Sequence, residues 1–324
     1  MFDYTEWPSK RISDFKAHEG PINALRYNST GQYLLTGGND RIVKLWNSST
    51  QTNIMCYKFH AYEILDLAII ADNSKFASCG GDRTILYWDV STGKVISKFG
   101  NSSGGHSSSV SSISFNDEPE DIAGNLLVSG SYDTTVKFWD CRSSSNRCIQ
   151  TITDSKDSVS QVEFKGSSVL VGSVDGNVRI YDIRNGQVIT NYIGHAVTSV
   201  SYMNEPKRAG CFLSSSHDSI IRLIDVETGS LRQAFRGHRN ANYRIFSSFA
   251  QNNTKIVSGS EDGFIYVWNV LNGELLNRIS TLPLIRGDSL RDWGSKMLST
   301  VVVHPGSQQM VNGSTDGKLI FYGL

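Results

Sequence analysis

The sequence has no excess of either charge. Its 324 residues carry 31 Lys and Arg against 31 Asp and Glu. No basic run or stripe stands out, so general affinity for a phosphate backbone is not written into the net charge. RNA is therefore expected to be met only indirectly, through partner proteins. Cysteine is scarce: five residues, an odd number, with no Cys-x-x-Cys. That pattern argues against a disulfide framework and fits reduced thiols in an intracellular protein. No apolar run approaches the ~18 residues of a membrane span, so no membrane association is expected. The first residues, Met1 to Glu6, are acidic and lack the charged-then-apolar layout of a secretory signal. The Asn-x-Ser/Thr sites at Asn28, Asn47 and Asn101 are accordingly expected to stay unmodified. No glycine-rich loop opens a helix, and the histidines are spread out rather than clustered at ligand spacing. Neither a cofactor nor a metal is expected.

What the sequence does have is one stretch repeated seven times. Ser129-Gly130-Ser131-Tyr132-Asp133-Thr134-Thr135-Val136-Lys137-Phe138-Trp139-Asp140 reads as strand, tight turn, strand. The Asp recurs at Asp40, Asp82, Asp133, Asp175, Asp218, Asp262 and Asp316, with successive spacings of 42, 51, 42, 43, 44 and 54 residues. Six residues after each comes Trp46, Trp88, Trp139, Tyr181, Ile224, Trp268 or Tyr322. A period near 42 with a terminal Trp-Asp marks the WD-repeat β-propeller, in which each repeat is one four-stranded blade. One blade cannot bury its own faces; seven in a ring bury each other's. The expected fold is all-β, a seven-bladed propeller over residues 10–324 behind a short tail, 1–9.

Each repeat runs outer strand, loop, then the three inner strands of the next blade. Residues 11–15 alternate like an outer strand with no inner strands before them. Residues 318–324 form an inner strand with no outer strand after it. The N-terminal strand is therefore expected to complete the last blade and to close the ring.

Five blades carry a His 22 to 27 residues before the Asp: His18, His60, His106, His195 and His238. With Thr36, Ser78, Ser129 and Ser258, and with Trp46, Trp88, Trp139 and Trp268, blades 1, 2, 3 and 6 hold full His, Ser/Thr, Asp and Trp sets. Ser, His and Asp together suggest a hydrolase. A hydrolase needs one exposed set with an oxyanion hole, however, not four repeats each beside a Trp. The expected role is a buried relay from indole to hydroxyl to imidazole to carboxylate. No catalytic residue is expected.

Function must then lie on surfaces. Blade 3 is lengthened by a Gly/Ser-rich segment at 101–105 and an acidic loop at 116–125. Blade 7 is lengthened through 281–294, with Arg286, Arg291 and Trp293. On the top face the loops after each His and the turns before each Asp offer Tyr62, Glu63, Tyr132, His217, Arg239, Asn240, Asn242, Tyr243 and Glu261. Together with the long blade 7 loop they make a rim of the composition found in protein-binding sites. The turns before the seven Asp residues (Asn39, Gly81, Tyr132, Val174, His217, Glu261, Thr315) are too mixed for a designed acid–base pair. A peptide reader using Glu261 to attract a basic side chain stays open.

The segments 60–66, 171–187 and 237–244, with the irregular Tyr-Asp and Ile-Asp endings of blades 4 and 5, resemble the mitogen-activated protein kinase organizer family, also called WD repeat-containing protein 83. The blade 3 acidic loop and the long blade 7 loop depart from that pattern. The resemblance implies a non-enzymatic scaffold, a monomeric subunit within a multi-subunit assembly. That family is associated with spliceosomes and with mitogen-activated protein kinase modules. Spliceosomal proteins in pre-mRNA splicing are the favoured partners, with kinase-module proteins as the alternative, in nucleus and cytoplasm.

Overall fold

The structure, a computed structural model, describes residues 7–100, 104–116, 124–203, 210–281, 298–306 and 309–324. Among them every regular element is a strand, and the strands form seven four-stranded antiparallel sheets. Blade 1 shows the plan. Its strands Ile22–Tyr27, Tyr33–Gly38, Ile42–Asn47 and Asn53–Lys58 pair in order from the ring axis outwards. The second and third strands are mostly buried, because each blade is covered by a neighbour on both faces. The outer strand alternates poorly and is largely exposed.

The Ser-Gly of the repeat has a packing reason. A β-carbon added at Gly37 would lie 2.6 Å from Ile64, at Gly130 2.5 Å from Val159, and at Gly313 2.8 Å from Ile22. In each case the missing side chain lets the innermost strand of the next blade nest against the second strand. Large rings then fill the space between blades. Tyr57 of blade 1 meets Phe76 and Trp88 of blade 2 at 4.8 and 5.5 Å between centroids. The turn of the repeat is also explained. The residue after every Asp has left-handed backbone: Arg41, Arg83, Thr134, Gly176, Ser219, Gly263 and Gly317, with φ between 62° and 84°.

Closure is as the order of elements requires. Strand Lys10–Lys16 pairs antiparallel with Lys318–Gly323, from Lys10 opposite Gly323 to Lys16 opposite Lys318. It is the outer strand of blade 7. Phe15 stacks 5.9 Å from Phe321 and reaches Trp46 of blade 1 at 5.2 Å. The expected tail is shorter than nine residues, since Trp7 and Pro8 are buried. Trp7 packs with Ala250, Val257, Val301, Met310 and Tyr322 across blades 6 and 7.

Candidate functional site

The His, Ser/Thr, Asp and Trp sets of blades 1, 2 and 3 are assembled. In blade 1, His18 Nδ1 lies 2.8 Å from Asp40 and Nε2 lies 2.6 Å from Thr36 Oγ1. The indole of Trp46 donates to that hydroxyl at 3.0 Å. In blade 2, His60 bridges Asp82 and Ser78 at 2.8 and 2.7 Å, and Trp88 donates to Ser78 at 2.8 Å. In blade 3, His106 bridges Asp133 and Ser129 at 3.0 and 2.7 Å, with Trp139 donating to Ser129 at 2.8 Å. Each imidazole thus donates to the carboxylate and accepts from the hydroxyl. Each carboxylate also caps the loop after its His, accepting from the amides of Glu19, Ala61 and Ser107. Burial works against a charged Asp82, but the hydrogen bond and attraction of His60, with donors from Thr84 and Ala61, win and hold it at about 2. The hydroxyls of Thr36, Ser78 and Ser129 belong to fully buried residues. Enclosed and fully hydrogen-bonded, these sets lock loop to turn.

Blade 6 departs from the sequence expectation. His238 is buried, yet neither ring nitrogen has a partner. Asp262 instead accepts from Tyr266 Oη at 2.6 Å and pairs with Arg278 at 3.4 Å. Ser258 donates to the carbonyl of Gly259, and Trp268 donates to that of Arg236. The reason lies four residues after the Asp. That position holds Lys44, Leu86 and Lys137 in blades 1, 2 and 3, but Tyr266 in blade 6, whose phenol takes the carboxylate. Blades 4 and 5 use the same position. Arg179 pairs with Asp175 at 2.8 Å, and Arg222 pairs with Asp218 at 2.5 Å. His195, which the spacing placed opposite Asp218, is exposed. An Arg or Tyr four residues after the Asp was the sequence signal for all three blades.

The top-face residues divide into support and surface. Glu261 is support: its side chain is 4% exposed. It accepts from the amides of Ala241, Asn242 and Tyr243 at 2.8, 2.6 and 3.0 Å. Already committed to this loop, it is not free to attract a basic peptide side chain, and the peptide-reader reading loses its anchor. Asn240 is fully buried and donates to Thr198 at 2.9 Å, so it too supports the loop. His217 and Glu63 are half-buried. The surface is carried by Tyr62, Tyr132 and Tyr243, which are 59%, 45% and 51% exposed, and by Arg239, whose side chain is 68% exposed. Arg286, Arg291, Trp293 and most of the blade 3 acidic loop lie outside the described residues.

Comparison with known proteins agrees with this architecture. The family model described as "Nucleolar protein 10-like, N-terminal domain", a β-propeller domain, matches residues 65–254, and "WD domain, G-beta repeat" matches residues 9–47. The WD repeat domain-containing protein 83 homolog of Dictyostelium discoideum is 30% identical, covering 92% of this chain and 93% of its own length. An uncharacterized WD repeat-containing protein of Schizosaccharomyces pombe is 39% identical over 95% of each chain. The WD repeat domain-containing protein 83 of Rattus norvegicus is 37% identical, over 93% of this chain and 88% of its own.

The chain belongs to the WD repeat domain-containing protein 83 family.

It is a WD-repeat propeller scaffold. Two of the segments that carry the likeness to WD repeat domain-containing protein 83 lie on the top face: 60–66 with Tyr62, and 237–244 with Tyr243. Among the described residues no group of three His, Cys, Asp or Glu could hold a metal ion. Sequence reading missed the ring axis. There Asp66, almost wholly buried, pairs with Arg26 at 2.9 Å and accepts from Ser112 Oγ at 2.8 Å. A cavity of about 520 Å³ occupies the lower channel, lined among others by Arg26, Leu67, Ile113, Gln161, Ser201 and Phe246. An Asp inside an apolar strand, Ile64-Leu65-Asp66-Leu67, was the available signal.

Proposed function

We propose that this protein docks partner proteins on its top face as a spliceosome-associated scaffold in pre-mRNA splicing. The observation that carries top-face docking is the set of three exposed tyrosines, Tyr62, Tyr132 and Tyr243. They stand on loops held by carboxylates: Asp82 under Ala61, Asp133 within its own turn, and Glu261 under Tyr243. Tyrosine gives a large contact area at small conformational cost, and a fixed loop removes part of the ordering cost of association. A splicing role is supported by the family resemblance of the residues, and zero net charge suits docking through proteins rather than RNA.

The test is affinity capture of the tagged full chain from nuclear and from cytoplasmic extract, with and without RNase, read by mass spectrometry. Splicing proteins recovered from the nuclear fraction and surviving RNase are the expected result. Loss of all of them on RNase treatment contradicts protein-mediated docking. Kinase-module proteins recovered from the cytoplasmic fraction without splicing proteins replace the splicing role with a kinase-cascade scaffold.

A further inference from the structure

Arg244 of blade 6 crosses the ring axis. It lies just before the innermost strand of that blade, Ser247–Ala250, which is only four residues long. Its Nη1 donates to the carbonyl of Ser111 in blade 3 at 2.7 Å. Its guanidinium carbon sits 4.5 Å over the ring of Phe246, which lines the cavity below. Nε and Nη2 are buried and have no partner. Solvent still reaches part of the residue as a whole.

A guanidinium donates in its plane, and Nε with Nη2 form one edge of the fork that matches a carboxylate. The ring of Phe246 covers a face, and no protein acceptor occupies that edge. The acid nearby cannot fill it. Asp66 is taken by Arg26, by Ser112 Oγ and by the amides of Ile113 and Leu67. Asp66 and Arg26 balance each other, so Arg244 adds one positive charge that no local carboxylate pairs. Buried donors left without an acceptor are costly, and more so when charged. A site that holds two such donors on one planar edge is prepared for a bidentate acceptor.

We propose that Arg244 is the receptor for one carboxylate of a partner protein, an Asp or Glu side chain or a chain terminus, which enters the channel mouth and accepts from Nε–H and Nη2–H together. This rests on the top-face docking reading and deepens it: the tyrosine rim supplies area, and Arg244 supplies the charge specificity of the same face. A rigid, planar, permanently charged fork inside a partly desolvated mouth discriminates Asp from Asn, because the amide brings no charge and a nitrogen that repels one of the donors.

The test uses the full chain and a defined probe, N-acetyl-Gly-Asp-Gly-amide, with its Asn counterpart, acetate and inorganic phosphate beside it. Binding is read by the melting temperature and by the NMR signal of the Arg244 Nε–H. The Asp peptide is expected to raise the melting temperature saturably and to shift that signal, and the Asn peptide to do neither. Arg244→Gln is expected to weaken the Asp peptide about tenfold or more. Arg244→Lys, which keeps a cation for the Ser111 carbonyl, separates loss of the fork from loss of the strut and is expected to weaken it as well. Absence of saturable binding by the wild type, or unchanged binding in Arg244→Gln, overturns the proposal. An acetate effect as strong as that of the peptide overturns the partner-protein source, and a phosphate-only effect overturns the carboxylate. A protein that captures partners but binds no carboxylate keeps the scaffold reading and loses only this one.

Discussion

Asp133 holds four groups at once: the imidazole of His106, the amide of Ser107, and both the amide and the hydroxyl of Thr135, the latter at 2.6 Å. Asp133→Ala removes the carboxylate acceptor of a buried imidazole N–H and leaves it only the Thr135 hydroxyl, at 3.2 Å, and urea denaturation is expected to show a loss of about 1–3 kcal/mol. His238 has the opposite difficulty, because it is buried with no acceptor. Burial therefore lowers it from 6.5 to about 4, with Asp262 and Asp218 opposing only weakly. The unfolded chain takes up that proton first as pH falls. The contribution is complete above pH 6.5 and is lost as pH falls towards about 4, by an amount on the order of 3 kcal/mol. Stability measured from pH 7 to 4 is expected to fall less steeply in His238→Gln than in the wild type. At this scale the sequence was legible where one partner satisfied each Asp. It misled in blade 6 because spacing places His238 near Asp262 but cannot weigh it against Tyr266, which is four residues away on an adjoining strand and already aimed at the carboxylate.

The N-terminal strand and the loop 239–243 are the elements on which ring and rim depend. Lys10–Lys16 covers the edge of Lys318–Gly323, and Trp7 continues the seal over blades 6 and 7. Deleting residues 1–16 exposes that edge and the apolar cluster behind it. The expected result is a lower melting temperature for the entire ring and concentration-dependent association in size-exclusion chromatography. The loop 241–243 hangs on a single carboxylate. Burial opposes the charge of Glu261, but three backbone amides more than compensate and hold its carboxyl below the ordinary range. Glu261→Ala is expected to raise amide hydrogen exchange at Ala241, Asn242 and Tyr243 while leaving the blade strands protected. The repeat made blade order and closure legible because each element has fixed neighbours. The role of Glu261 was not, because a turn residue that points inward and one that points outward read alike in sequence.

Across the whole molecule, the repeated polar sets look like chemistry and are architecture, while the specific surface sits on the irregular parts between them. Seven near-equal blades give a rigid ring whose regular residues face one another. What differs from blade to blade includes the exposed Tyr62, Tyr132 and Tyr243 on the top-face loops and the enclosed Arg244 at the ring axis. The sequence conveyed the ring through its period, and it conveyed the rim only as a pool of polar and aromatic loop residues. Burial then sorted that pool, sending Glu261 and Asn240 inward and leaving the tyrosines out. On the proposed function, partners dock on this face. Cross-linking mass spectrometry on the captured complex tests it most directly. Partner cross-links are expected to be confined to the loops around residues 61–63, 131–133 and 239–243, and to be lost in a Tyr62→Ala, Tyr132→Ala, Tyr243→Ala variant that melts like the wild type. Cross-links concentrated on the outer strands or on the opposite face, unchanged in that variant, would contradict it.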